Sequence, residues 1–261
     1  MKTGICELCG QEGKLRDSHF LPKGLYKLLR NSNTTNKNPV LMSARVSIQK
    51  SFQMTQPLLC SACERRFSEG GESYVLPQLK QRNAFPLLDR LKLALPLYRT
   101  GENTAFTCPS VGLDGEKIAY FGLSILWRAV VRPWRTFDNE TASVELDVKY
   151  LESIRCYLAR ETGWPPDVVV IATVATDFVS QITCFVPNRI TDNPMHIAYG
   201  LLTLGLYYRF IMGEPSPAMK EISCAGPGMN LIFARDCSDK SWPAVERMMR
   251  TTVPKGQLAD I

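Results

Sequence analysis

Two pairs of cysteines near the amino end have the spacing of a zinc site. Cys6 and Cys9 form one Cys-x-x-Cys pair, and Cys60 and Cys63 form the other. Structural zinc prefers four tetrahedral thiolate or imidazole ligands, and each pair presents two thiolates to one ion. Gly10 follows the first pair and suits the tight turn of a zinc knuckle. A redox site would need only one pair beside a βαβ pattern. We therefore predict that the four cysteines hold one structural zinc ion.

A histidine lies between the two cysteine pairs in a segment that reads Ser-His-Phe-Leu-Pro-Lys over residues 18–23. This residue, His19, is one of 2 histidines in the chain. The other, His196, stands in an apolar run and is interpreted as a core residue. A histidine such as His19 can act as a general base on water, or it can pack and form hydrogen bonds within the finger.

Taken in order, these motifs resemble the HNH, or treble-clef ββα-metal, nuclease superfamily. Its usual order is a Cys-x-x-Cys knuckle, a strand ending in a histidine pair or Asp-His with a proline beyond it, a second strand, and a helix opening Leu-Cys-x-x-Cys-His. The matching segments here are residues 6–9, 18–22 and 59–64. More narrowly, the motifs at residues 18–23, 58–64 and 124–128 are similar to a group of uncharacterised bacterial HNH-like proteins.

The resemblance implies a role for each matching residue. In the superfamily the strand-end histidine is the base, so His19 takes that role, and Glu64 stands where the helix supplies a ligand for magnesium or manganese. Ser18 occupies the other ligand position, where serine is a poor ligand, and Asp17 substitutes only if the strand is bulged. The asparagine that orients the base would fall near Thr55, where no asparagine is present.

Basic residues surround the candidate site. They are Lys14, Arg16, Lys23, Lys27 and Arg30. Such a cluster attracts a phosphate backbone, although a solvated helix face has the same composition. The net charge of +6 permits a nucleic-acid partner without demanding one. A second group, at residues 127–135, mixes aromatics with arginines; it can stack on bases, but we interpret it as the anchor of a helix end.

The composition of the sequence changes near residue 75, and long apolar periodic segments follow. Helices are predicted over residues 76–97 with an interruption at Pro86, and over 116–131, 147–161 and 242–250. Strands are predicted over residues 168–174, 180–186 and 229–234, with a hairpin over 196–213. The sequence does not predict the order of the strands in the sheet. The expected fold class is α+β, with an HNH-type treble-clef zinc finger over residues 1–75 and a larger domain of helices and an antiparallel sheet over residues 76–261.

The number of cysteines and the composition of the amino end predict the cellular compartment of the protein. The 9 cysteines are an odd total without a regular framework, which argues against a secreted disulfide scaffold. The amino end has no apolar signal region. The apolar run over residues 196–213 is interrupted by Gly200, Gly205 and Arg209, so a strand hairpin is favoured over a membrane helix. We expect a cytoplasmic protein that does not enter the membrane.

These observations lead to one leading hypothesis and two alternatives. The leading hypothesis is a metal-dependent HNH-like endonuclease acting on DNA, with structural zinc and a catalytic magnesium or manganese ion; the resemblance further suggests the effector of a bacterial defence system. The first alternative is a non-catalytic zinc module that binds nucleic acid or a protein partner. The second is a structural finger that serves an unrecognised activity, or a partner-binding surface, in the C-terminal domain.

Overall fold

The computed structural model of the protein describes residues 2–32, 38–193 and 195–259. The elements of the amino-terminal part are β1 (Thr3–Ile5), β2 (Glu12–His19), α1 (Lys23–Ser32), β3 (Val40–Met42), β4 (Val46–Gln49), β5 (Thr55–Cys60) and α2 (Ser61–Phe67). Strands β1, β2 and β5 form one antiparallel sheet in that order, and α2 begins where β5 ends. The strand that ends in His19 therefore lies beside the strand that leads into the second cysteine pair.

Helical backbone continues beyond α2. It passes through a π-helical turn (Ser68–Glu72), α3 (Ser73–Val75) and a 3-10 turn (Leu76–Gln78). The elements that follow are α4 (Pro86–Lys92), β6 (Tyr98–Thr100), β7 (Asn103–Thr107), α5 (Gly115–Val131), β8 (Trp134–Arg135), β9 (Thr141–Ala142), α6 (Val148–Leu158), β10 (Val168–Ala175), α7 (Phe178–Ile182), β11 (Cys184–Asn193), β12 (His196–Thr203), β13 (Leu206–Gly213), α8 (Pro217–Glu221), β14 (Leu231–Arg235), α9 (Ser238–Thr251) and β15 (Val253–Lys255).

A mixed sheet of seven strands organises the larger part, in the order β11-β12-β13-β10-β14-β7-β6. Strands β10 and β14 are parallel, and the other neighbours in this sheet are antiparallel. Helix α5 packs on one face of the sheet. There the Tyr208 hydroxyl of β13 donates to the Ile118 carbonyl at 3.1 Å, and a Cβ on Gly122 would meet the Tyr208 ring at 2.7 Å.

The π turn lets the helix after the second cysteine pair approach α5 closely. A Cβ on Gly71 would lie 2.8 Å from the Phe121 backbone nitrogen, so the approach requires glycine there. Beside this contact, Glu72 pairs with Arg128 of α5 at 2.8 Å, and the Arg128 guanidinium lies 4.6 Å from the centroid of the Phe67 ring. Arg128 is only 2% exposed, which makes the pair a buried anchor between the two helices.

One buried core runs through both parts of the chain. It includes Leu8, Phe20 and Phe67 from the amino-terminal part, together with Phe121 and Val170 from the larger part. Near the carboxyl end, β15 pairs in parallel with β4. The division into residues 1–75 and 76–261 stays a prediction, because packing alone does not measure whether each part folds independently.

The long apolar patterns correspond to elements of the structure. The patterns at residues 116–131 and 147–161 form α5 and α6, those at 168–174 and 229–234 match β10 and β14, and 242–250 lies within α9. The 196–213 run is the β12–β13 hairpin, whose turn residues Leu204 and Gly205 have φ values of 47° and 91°. Within the described residues, no helix has the length and apolar character needed to cross a membrane. The mixed α+β class is confirmed.

Three sequence predictions about elements were wrong in part. Residues 76–97 do not form a helix interrupted at Pro86; instead Pro86 begins α4, because proline lacks an N–H that the first helical turn does not need. Residues 180–186 begin in helix α7, where the Asp177 carboxylate accepts from the Ser180 N–H at 2.8 Å and caps the helix. The sheet is not wholly antiparallel, since β10 and β14 run in the same direction.

Candidate metal centre and adjacent histidine

The four predicted zinc ligands lie together. The sulfur atoms of Cys6, Cys9, Cys60 and Cys63 are all within 4.8 Å of one another, and those of Cys9 and Cys60 are 3.9 Å apart. Tetrahedral zinc with sulfur at about 2.3 Å places its ligands about 3.8 Å apart, so this arrangement needs little adjustment to hold the ion. All nine cysteines are free of disulfides. The donor set and the spacing fit a structural metal ion.

The first pair sits on a tight knuckle that the backbone itself closes. The Gly10 N–H donates to the Cys6 carbonyl at 2.8 Å, and the Cys6 N–H donates to the Gln11 carbonyl at 2.9 Å. Gly10 has a φ of 69°, the left-handed region that favours glycine. The backbone of this tight turn therefore favours glycine at position 10, which is the role that the sequence predicted for it.

The second pair spans the junction of β5 and α2. Cys60 is the last residue of β5, pairs with Leu15 of β2, and donates its N–H to the Cys6 sulfur at 3.3 Å. A hydrogen bond from the Cys63 thiol lowers the pKa of Cys6 to about 4 and raises the pKa of Cys63. One thiolate is thus already favoured in the cluster, and a cation at its centre would favour deprotonation of the others.

Two arginines from the larger part hold the first knuckle in place. The Arg132 Nε donates to a Glu7 carboxylate oxygen at 2.7 Å, and the Arg155 Nη1 donates to the Leu8 carbonyl at 2.7 Å. Leu8 itself is fully buried. The knuckle is therefore fixed from outside as well as through its cysteines.

His19 lies at the end of β2, opposite Thr55 of β5. The position near Thr55, where the superfamily's orienting asparagine was expected, is therefore directly across from the histidine. The orienting contact comes from another residue: the His19 Nε2 and the Gln53 Oε1 are 2.8 Å apart. Gln53 was not identified from the sequence, and an amide two residues before Thr55 was the only available signal. Since an amide oxygen only accepts, this pairing places the imidazole proton on Nε2.

The two positions at which the superfamily carries metal ligands meet in this structure. The Ser18 hydroxyl donates to Glu64 Oε1 and accepts from the Leu59 N–H at 3.2 Å. Ser18 is 1% exposed, whereas Glu64 is half-buried. A carboxylate and a hydroxyl thus meet at the residue that precedes the strand-end histidine in β2, and Cys60 of the four-cysteine cluster ends the neighbouring strand β5.

Asp17 stays apart from this pair. A register shift does occur between Arg16 and Asp17, but the unpaired residue is Leu58 of β5, so β2 itself has no extra residue. The Asp17 side chain is exposed, while the neighbouring Ser18 is buried. The condition under which Asp17 would replace Ser18, a bulge that turns its carboxylate inward, is not met by β2. Its catalytic role stays a prediction.

Most of the predicted nucleic-acid contacts are available at the surface. Lys14 and Arg16 on β2 and Lys23 and Lys27 on α1 are exposed, and Arg30 is half-buried. Residues two apart on a strand and four apart on a helix share a face, so each pair presents its charges together.

The second arginine-rich group, at residues 127–135, has its two tryptophans buried in the protein. Trp127 and Trp134 are each 1% exposed, and the Trp134 Nε1 donates to the Arg128 carbonyl at 2.7 Å. The Trp127 and Phe67 rings meet edge to face with centroids 5.8 Å apart. These rings cannot stack on bases without leaving the core, which agrees with the interpretation of the group as a helix anchor.

The Ser18–Glu64 pair also offers oxygen ligands of the kind that a hard cation prefers. Magnesium is commonly held by one or two carboxylates, with water and substrate phosphate oxygens completing its shell. Glu64 supplies one carboxylate, and Ser18 supplies a neutral oxygen beside it. Glu72 does not contribute, because its carboxylate pairs with Arg128.

No family model matches this chain, and no match to it was found among curated proteins or solved structures. The HNH resemblance therefore depends on the chain's own motifs. A four-cysteine cluster by itself does not identify that superfamily, because several classes of zinc finger use the same ligands.

Proposed function

We propose that this protein is a metal-dependent HNH-like endonuclease that cuts DNA at a site built on β2, β5 and α2. One observation carries the proposal: a hydrogen bond joins the two superfamily ligand positions, Glu64 on α2 and Ser18, the residue before His19. In this proposal the four cysteines hold zinc, and residues 1–75 form an HNH-type treble-clef finger. The protein acts in the cytoplasm, and a role as a defence effector follows from the resemblance alone.

His19 is the proposed general base. Its Nε2 proton is committed to Gln53 Oε1, and among the described residues its Nδ1 has no hydrogen-bond partner. Nδ1 is therefore the nitrogen that accepts a proton from the attacking water. Its half-buried position leaves the ring accessible to a substrate.

Glu64, with Ser18 beside it, is the proposed holder of the catalytic cation. A bound magnesium or manganese ion would supply electrostatic stabilisation of the leaving oxygen. Lys14, Arg16, Lys23 and Lys27 attract the DNA backbone to the same part of the protein through their exposed charges.

The proposal is tested by incubating zinc-loaded wild-type protein with supercoiled plasmid and with single-stranded DNA, in magnesium or manganese and in chelator. Cleavage that requires the divalent ion supports the nuclease. Binding without cleavage at any ion concentration refutes it and leaves the zinc module as the function. If DNA is neither bound nor cut, the finger is structural, and the activity lies in the larger part of the chain.

One observation favours the non-catalytic alternative. The Ser18 hydroxyl already donates to Glu64 and accepts from Leu59, so one lone pair of Ser18 and one oxygen of Glu64 are engaged in hydrogen bonds, and a neutral hydroxyl is a weak ligand for a cation. In this alternative the Ser18–Glu64 bond ties α2 to β2, and the basic surface binds nucleic acid or a protein partner.

Gln53 is the predicted positioning residue for the base. We expect Gln53→Leu to lower the cleavage rate by about 10–100-fold, as loss of an outer hydrogen bond to a catalytic group does. The Gln53→Glu variant keeps an acceptor oxygen and should recover most of the rate. Zinc content and melting temperature should match wild type in both variants. Equal rates for wild type and Gln53→Leu would show that the contact does not orient a base.

A further inference from the structure

A cavity of about 840 Å³ lies against the face of the seven-stranded sheet that points away from α5. Its floor is formed by residues that alternate with those packed on α5, such as Tyr207 and Arg209 on either side of Tyr208. Ala244, Arg247 and Met248 of α9 also line it. The volume is in the range of about 300–1,000 Å³ that is typical of small-molecule sites.

Arg209 stands in the middle of this floor. Cross-strand register places it between Gly200 of β12 and Ile171 of β10. Gly200 also lines the cavity, and the side chains of Ile190 and Tyr207 pack closely over it: a Cβ there would meet the Ile190 Cγ2 and the Tyr207 hydroxyl, each at 3.1 Å. The register of the sheet thus places a cation on the cavity floor among the neighbouring lining residues.

The guanidinium of Arg209 has no partner in the described part of the chain. Its Nε is buried without a hydrogen bond, and the ion pairs among the described side chains do not include Arg209. Leaving a half-buried charge uncompensated among apolar side chains is costly unless something else pairs with it. The arrangement therefore favours an anion in the cavity.

The other charged side chains that line the cavity also favour an anion. Among the described residues, it contains Arg235 and Arg247 in addition to Arg209, and no aspartate or glutamate. Arg235 is paired with Glu102 at 3.1 Å and Asp239 at 2.8 Å, which leaves Arg209 and Arg247 to favour an anion. The apolar side chains around them include Ile171, Phe185, Leu202, Ile222, Phe233 and Met248.

We propose that this cavity binds one small organic anion: an acidic group that pairs with Arg209, on an apolar body that fills the space over Ile171, Leu202 and Phe233. The acidic head supplies the counter-charge that the chain does not provide, and the apolar body removes the surrounding side chains from water. This site is separate from the His19 site and does not depend on the nuclease proposal.

A pair of fluorescent probes tests the proposal on the full chain. 8-Anilinonaphthalene-1-sulfonate carries the acidic group, and N-phenyl-1-naphthylamine has the same rings without it. We expect the sulfonate to bind the zinc-loaded wild type at one site. In Arg209→Met its affinity should fall by about tenfold or more, which corresponds to loss of a charge-assisted hydrogen bond, while the neutral probe binds as before.

Two variants serve as controls. Arg250→Met removes an exposed α9 arginine outside this cavity and should leave both probes unaffected. Gly200→Leu presses a side chain against Ile190 and Tyr207 in the cavity lining and should weaken both probes, with the melting transition reporting whether the variant folds. The proposal is wrong if the sulfonate does not bind, occupies several equivalent weak sites, or binds Arg209→Met as tightly as wild type. Those three results are decisive even if Gly200→Leu fails to fold.

Discussion

Replacing Cys60 by serine is expected to release the zinc and unfold the amino-terminal part of the protein. A serine hydroxyl stays protonated at neutral pH and does not replace a thiolate in a four-sulfur site. Structural zinc contributes about 10–16 kcal/mol to the folding of finger peptides, so losing one ligand removes a large share of the finger's stability. The cluster also packs on the shared core through Cys6 and Cys63. Elemental analysis measures the loss of zinc, and urea unfolding measures the loss of stability.

Cys156→Ser is the matched control for that experiment. Cys156 is a half-buried cysteine of α6 outside the cluster, and its sulfur contacts Glu152 at 3.3 Å, a contact that a hydroxyl can retain. This variant should keep one zinc per chain and unfold like wild type. A Cys60→Ser protein with full zinc and unchanged stability would mean that the ligand set is wrong.

Replacing His19 by alanine is expected to lower DNA cleavage by about 10²–10⁴-fold, the usual contribution of a general base. The fold should survive, because His19 is half-buried at a strand end and lies outside the hydrophobic core. Single-turnover cleavage of end-labelled duplex DNA measures the rate, while zinc content and melting temperature report on the fold.

The chain's other histidine provides the control. His196 begins β12, which lies between β11 and β13 in the larger sheet, and pairs with Gly213. We expect His196→Ala to cut DNA at a rate close to that of wild type. If both alanine variants cut as fast as wild type, His19 is not the base; if both lose cleavage equally, the loss reflects general damage to the fold.

The four-cysteine cluster was predictable because each half of it is fixed by residues close together in the sequence. Each Cys-x-x-Cys pair fixes two ligands on one turn, and only the meeting of the two turns depends on tertiary structure. The Ser18–Glu64 neighbourhood followed from motif order, since a strand and the helix after its partner strand meet at one end of a ββα unit. Gln53 was not predictable in the same way, because it lies just before β5, where the pairing register and not a sequence pattern decides which side chain reaches His19.

In the larger part too, features set by neighbouring residues were predictable from the sequence, whereas features set by pairing between distant segments were not. Helix α5 was readable from its long apolar surface, but the segment at residues 180–186 was ambiguous because short apolar runs suit helices and strands alike. The Asp177 cap decides that case in favour of α7. The order of the seven strands depends on pairings far apart in the chain, such as β7 with β14. Arg209 interrupted an apolar run in the sequence, and only the register shows that it faces a cavity.

The most direct test of the nuclease is the metal dependence of DNA cleavage by zinc-loaded wild type and Glu64→Gln, measured under single-turnover conditions. The proposal predicts that wild type cuts only after magnesium or manganese is added. It also predicts that Glu64→Gln, which removes the one carboxylate beside Ser18, needs at least about tenfold more ion for half its maximal rate. The proposal is contradicted if wild type with full zinc never cuts DNA, or if the two proteins respond identically to the ion.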